Sequence, residues 1–137
     1  MSGTWQEGMA LGISEIDADH RRIAGIFDAL HGALVGHADA TAVIAILNEL
    51  VDVMCEHIGR EEELMRAIRY KNTAAHRLDH DEFINMLSTL MVDYQTENHQ
   101  IVIDTASLIK TWKYEHLRRF DQPLAAAILA ARARVEA

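Results

Sequence analysis

The chain has 137 residues, half of them hydrophobic and a quarter charged, with a net charge of -8, eight His, one Pro and a single Cys55. This length forms a core without staples, fits one domain, and is too apolar for disorder. One cysteine excludes an internal disulfide framework, the acidity excludes a phosphate-binding nucleic-acid module, and no apolar run nears the roughly 20 residues of a membrane span.

The opening Met1-Ser2-Gly3-Thr4-Trp5 has no basic stretch followed by an apolar one, so no secretory signal is expected and the cytoplasm is the expected compartment. There is no repeat, linker or break in composition, which points to one domain over residues 1–137, with the bundle at about 17–121 and a tail at 122–137.

From Asp17 to about Val35, Ile23, Ile26, Phe27, Leu30 and Leu34 recur at three and four, the period of an amphipathic helix, and Gly36 stands where a C-cap belongs. A second helix is expected from about Asp39 to Ile68, carrying Leu47, Leu50, Val53 and Met54, with Asp39 or Thr41 as its cap. A third runs from Asn72, or Thr73, to about Tyr94, and a fourth from about Asn98 to Phe120. Pro123 suits the first turn of a short fifth helix in the Ala-rich tail. Four such helices joined by loops of a few residues make an all-α, up-down-up-down antiparallel four-helix bundle, with an N-terminal arm before it and the helical tail after it.

Five of the eight His fall in phase with these apolar stripes. His57 and Glu61 are spaced i, i+4, as are His76 and His80, so the members of each pair lie only about 40° apart and share a face. His57 follows Met54 by three, His80 precedes Phe83 by three, His116 follows Trp112 by four, and His20 precedes Ile23 by three. Imidazoles on a core face with no evident acidic partner for each call for a metal. Asp121 is five after His116, about 140° round a straight helix, so it shares the face only at a helix end or bend, for which Pro123 is a plausible cause. Five imidazoles and two carboxylates are too many for one tetrahedral zinc and too rich in nitrogen for calcium or magnesium. They suit iron, manganese or copper, and two carboxylates can bridge two ions.

His31, His37 and His99 lie outside this pattern and are expected at the surface or at helix ends. In Glu61-Glu62-Glu63 only Glu61 has ligand spacing, the rest being a solvated face. Met54, Met65, Met86 and Met91 are expected as core filler, and Cys55, about 200° from His57, as a thiol pointing away from the site.

The segments Ile16-Asp17-Ala18-Asp19-His20, His57-Ile58-Gly59-Arg60-Glu61-Glu62-Glu63-Leu64-Met65, His76-x-x-x-His80-x-x-Phe83 and Trp112-x-x-x-His116-x-x-x-x-Asp121 resemble, in order, those of the hemerythrin family, in particular its single-domain bacterial members. Trp5 with Leu11-Gly12-Ile13 looks like the family's opening arm, so the resemblance spans roughly residues 5 to 121. It implies two non-haem irons. One takes His76, His80 and His116, the other takes His20 and His57, and Glu61, Asp121 and an oxide or hydroxide bridge them. The second iron then keeps one open position, where O2 would bind end-on as hydroperoxide and leave again.

The resemblance also implies a closed apolar wall, for which Ile23, Ile58, Trp112 and Leu117 are candidates. Two positions depart from the family. Ile58 stands where Phe is common, and Lys113 where the residue is often apolar. Facing inward, Lys113 would bring a positive charge to the bound ligand; pointing outward it would change nothing. The outward orientation is expected, since Lys is rarely buried unpaired. The implied function is an oxygen carrier or local store. The rivals are an O2 or redox sensor acting through a protein partner, and a diiron enzyme acting on peroxide, Fe(II) or nitric oxide; anions are further candidates for the open position.

Overall fold

The structure, a computed structural model, describes residues 5–136; residues 1–4 of the expected arm and residue 137 of the expected tail lie outside them. After a short 3-10 turn at Glu7–Met9 come α1 (Ser14–Val35), α2 (Ala40–Ile68), α3 (Thr73–Thr96), α4 (His99–His116) and α5 (Gln122–Glu136). A π-turn at Leu117–Asp121 joins α4 to α5. In the bundle α1 packs on α2, α2 on α3, α3 on α4 and α4 back on α1, while α5 lies against α2. This closed ring, with connections spanning only 36–39, 69–72 and 97–98, is the expected up-down-up-down bundle.

The helix ends show why the boundaries fall where they do. The Asp39 side chain accepts a hydrogen bond from the Ala42 N–H, and Asn98 accepts one from the Ile101 N–H, so both cap their helices. Asn72 makes no such bond; Thr73 donates its hydroxyl to the Tyr70 carbonyl instead. Helix α1 begins three residues before the expected Asp17. The buried Asp17 carboxylate accepts the backbone N–H groups of Leu11 and Gly12, tying the arm to the first turn. At the far end of α1 Gly36 is the C-cap, as expected, and the left-handed residue is the one after it, His37, with φ 55°.

Two apolar clusters hold the bundle together. The larger draws on Ile23, Phe27 and Leu30 of α1, Leu50 and Met54 of α2, Phe83 and Leu87 of α3, and Val102 and Ile109 of α4. The smaller contains Ile13, Ile16, Met65, Leu124, Ala125 and Ile128. In chain order the buried polar residues fall between them: on α1 Ile16 precedes and Ile23 follows His20, and on α2 Met54 precedes and Met65 follows His57 and Glu61. A polar layer thus crosses the bundle with hydrocarbon above and below it. Met54 and Met65 are buried filler, Met86 and Met91 pack on the larger cluster, and Cys55 is exposed, all as expected.

Candidate metal centre

All seven expected residues meet in that layer, and each is at least 96 % buried. Burying so many ionisable groups is costly unless something satisfies them. Their donor atoms form two groups, with separations within each of no more than 4.8 Å: Glu61, His76, His80, His116 and Asp121 in one, and His20, His57, Glu61 and Asp121 in the other.

The two carboxylates belong to both groups, and their oxygens divide between them. Glu61 Oε1 lies 3.2 Å from His76 Nε2 and 2.9 Å from His80 Nε2, whereas Oε2 lies 3.3 Å from His57 Nε2. Asp121 Oδ1 lies 3.2 Å from His76 Nε2 and 3.0 Å from His116 Nε2, whereas Oδ2 lies 3.0 Å from His20 Nε2. Despite these short separations, the Nε2 atoms of His20, His57 and His116, with Glu61 Oε2 and Asp121 Oδ1, make no hydrogen bond of acceptable geometry. Buried donors that converge without bonding one another fit cations between them.

The π-turn places Asp121. The Gln122 N–H bonds the Leu117 carbonyl five residues back. This i→i+5 bonding widens the helix and brings residues five apart, His116 and Asp121, onto one face. Pro123 has no N–H to continue the ordinary ladder, and its ring would crowd the carbonyl four residues earlier. The chain therefore bulges at the site and continues as helix, where a bend or end was expected.

Three of the imidazoles have acidic partners that the sequence does not reveal. His57 Nδ1 lies 3.0 Å from Asp19 Oδ2, His116 Nδ1 lies 2.6 Å from Asp79 Oδ2, and His80 Nδ1 lies 3.3 Å from Glu62 Oε2. Each Nδ1–H donates outward, which fixes the tautomer and turns Nε2 to the centre. The expectation that these His lack acidic partners is thus corrected, and Glu62 is more than a solvated face. Asp19 is in turn held by Arg60 at 2.8 Å, and Glu62 by Arg77 at 3.4 Å. The one available signal was position: Asp19 and Asp79 each stand immediately before a ligand-phase His and point across to the neighbouring helix.

The electrostatics show what balances the carboxylates without metal. Burial alone would raise the Glu61 carboxyl; the His57 charge and its close contacts with His116, His57 and His76 hold it well below its usual value. Asp121 is opposed by burial and by Glu61, yet the Lys113 and His116 charges hold it well below its usual value too. Burial pushes His57 down, but the Glu61 charge, the hydrogen bond to Asp19 and the close contact with Glu61 lift it to about 9. His76, opposed by burial in the same way, is lifted to about 9 by its contacts with Asp121 and Glu61. His20 goes the other way, to about 4, because burial and the Lys113 charge outweigh Asp121.

The surroundings of the two groups differ. Around the three-His group the walls are aromatic: the Trp112 ring stacks on His116 at 5.2 Å, Phe120 stacks on it at 5.4 Å, and Phe83 meets Trp112 at 4.9 Å. Against His20 lies a cavity of about 30 Å³, walled by Trp5, Met9, Ile23, Ala24, Phe27, Lys110, Lys113, Tyr114 and Leu117. Ile23, Lys113 and Leu117 therefore stand where the wall was expected. Ile58 and Trp112 do not: Ile58 packs on the larger apolar cluster, and Trp112 covers the other group. The outward orientation expected of Lys113 is also corrected. It is buried, with Nζ 3.4 Å from Asp121 Oδ2. Lys113 precedes His116 by three and so shares its face, and Asp121 supplies the partner that burial requires.

His31 is exposed on α1, as expected; the exposed His37 and the half-buried His99 stack at 4.1 Å beside the start of α4.

An all-helical bundle with a buried layer of imidazoles and carboxylates defines a metal-binding protein of the four-helix class. The family model described as the hemerythrin HHE cation binding domain matches residues 11–128. A bacteriohemerythrin of Stenotrophomonas maltophilia is 32% identical over 92% of this chain and 81% of its own length. One from Pseudomonas aeruginosa is 32% identical over 85% of this chain and 75% of its own, and a myohemerythrin of Sipunculus nudus 27% identical over 85% and 86%. The chain belongs to the hemerythrin family. Its donor set fits iron.

Proposed function

We propose that the chain binds O2 reversibly at a centre of two iron ions, as an oxygen carrier or local store. His76, His80 and His116 would hold one iron, and His20 and His57 the other, with Glu61, Asp121 and an oxide or hydroxide between them. The observation that carries this reading is the division of oxygens: each carboxylate offers one to the three-His group and one to the two-His group. The group with fewer donors is also the one beside the cavity, which is where a vacant coordination position for end-on uptake would be useful. Bound iron supplies the electrons for O2 uptake. The protein supplies a wall mostly of hydrocarbon and aromatic side chains that limits water, and carboxylates behind the imidazoles that fix their orientation.

The test is optical. Reduced, iron-loaded protein admitted to air should develop a visible charge-transfer band that disappears on deoxygenation. Direct conversion to the oxidised form without that band contradicts the reading. A second reading, turnover of peroxide or nitric oxide, is favoured by one observation, the buried Lys113 in the cavity wall. Sustained consumption of either compound by the loaded protein would select it.

A further inference from the structure

We propose that Met9 is a modification site: its thioether, in the outer wall of the cavity against His20, captures hydrogen peroxide leaving the centre and becomes methionine sulfoxide. This rests on the two-iron reading and extends it to what happens when O2 departs in reduced form. The inner wall of the cavity is buried, with Ile23, Phe27 and Leu117 near His20. The outer wall is half-buried and holds Trp5 and Met9 of the N-terminal arm with Lys110 and Tyr114 of α4. A molecule moving from His20 to solvent passes that outer wall. Among the described residues, Met9 supplies the only sulfur atom lining this cavity.

The arm is fastened at three points. Asp17 accepts the N–H groups of Leu11 and Gly12, the Arg21 guanidinium lies over the Trp5 ring at 5.1 Å, and the Gln6 N–H donates to Met9 Sδ at 3.4 Å. The last bond engages one sulfur lone pair and leaves the other for an incoming oxygen. Met54 and Met65 are sealed in hydrocarbon, and the half-buried Met86 and Met91 pack on the larger apolar cluster away from this cavity. Exposure alone therefore does not single out Met9; its place beside the two-His group does.

A cavity of about 30 Å³ holds one small molecule at a time, within reach of the side chains around it. O2 that leaves with two electrons and two protons is hydrogen peroxide. The free Met9 lone pair attacks one peroxide oxygen, the O–O bond breaks and an S–O bond forms. The proton on the transferred oxygen passes to the departing hydroxide, which leaves as water. Sulfur loses two electrons and peroxide gains them, so no further reactant is needed, and the sulfoxide is of the kind that cellular reductases reverse.

Repeated cycles of reduction and exposure to air, run on iron-loaded protein with catalase in the solution, test this. Peptide mass spectrometry reads sulfoxide at Met9, Met86 and Met91. Met9 should carry about tenfold more sulfoxide than either of the others, because catalase removes peroxide only after it has left the cavity. Metal-free protein given hydrogen peroxide should lose most of that preference, since Met86 and Met91 are half-buried like Met9. Met9→Leu should retain its iron and, without catalase, release more peroxide per oxidised iron pair than the parent. Met9 left unoxidised, or oxidised no more than Met86 and Met91, overturns the proposal. So does Met9 sulfoxide that catalase abolishes, an equal preference in the metal-free protein, or unchanged peroxide release from Met9→Leu. The two-iron reading survives each of these results. A parent that takes up no iron ends both.

Discussion

The two halves of the metal centre are built from the same residue types and treated differently by the fold. The three-His half is closed by Phe83, Trp112 and Phe120, with ring stacking directly on a ligand. The two-His half faces a small cavity and carries a buried ammonium. Donor number and wall change together: the group with more imidazoles is packed by stacked rings, and the group with fewer borders a small cavity. The lesson is that the two groups differ twice, once in the number of imidazoles and once in that only the two-His group borders this cavity.

The strongest way to break this picture is through the shared carboxylates. Glu61 is fully buried and reaches both groups, so Glu61→Ala should abolish loading of both ions. Leaving several buried imidazoles uncompensated should also destabilise the metal-free fold by about 3–5 kcal/mol. Metal analysis and thermal melting, run with circular dichroism to confirm retained helix, check both effects. Retention of two ions would show that Glu61 does not link the halves.

A smaller effect separates the halves. Asp79→Asn removes the negative charge behind His116, and Asp19→Asn the one behind His57, leaving only a neutral amide to orient the ring. Each should weaken metal affinity about 10–100-fold. Competition with a chelator should show one weakened ion in each variant, a different one in each, the spectroscopic difference between the halves identifying which.

The pH response sharpens the contrast further. His57 and His76 are raised from 6.5 to about 9, so their contribution to the metal-free fold is full below pH 6.5 and is lost as the pH rises through about 9. His20, lowered to about 4, contributes fully above pH 6.5 and loses its share as the pH falls towards 4. The metal-free protein should therefore be most stable near pH 6.5. Metal affinity should instead climb towards pH 9, because binding must displace the protons on His57 and His76. Melting curves with and without chelator across this range give both slopes.

The smallest expected effect concerns the wall. Leu117 lines the cavity and Ile58 does not. Leu117→Ala should admit water and speed spontaneous oxidation of the loaded protein, whereas Ile58→Ala should leave that rate unchanged. Stopped-flow and slow optical traces on the two variants distinguish them; equal acceleration in both would move the cavity's boundary.

How much of this was written in the sequence depends on distance along the chain. The four helices and the pairs His57–Glu61 and His76–His80 were legible because helical period alone decides which side chains share a face. Asp121 was legible only as a residue five places out of phase, since no spacing rule announces a π-turn; the outcome depends on Pro123 withholding its N–H. The Asp19–His57 and Asp79–His116 pairs cross between helices, and their register is set by packing that no local pattern encodes. The inward orientation of Lys113 is hidden from the sequence for a related reason. Burial of a lysine depends on its partner, and Asp121 becomes that partner only once the helix has bulged.

The most direct test of an unequal pair of ions sharing two carboxylates is Mössbauer spectroscopy of the oxidised iron-loaded protein, with metal analysis of the same sample. Two irons per chain, in distinct environments and magnetically coupled, are the predicted result. One iron per chain, or two in indistinguishable environments, would contradict it.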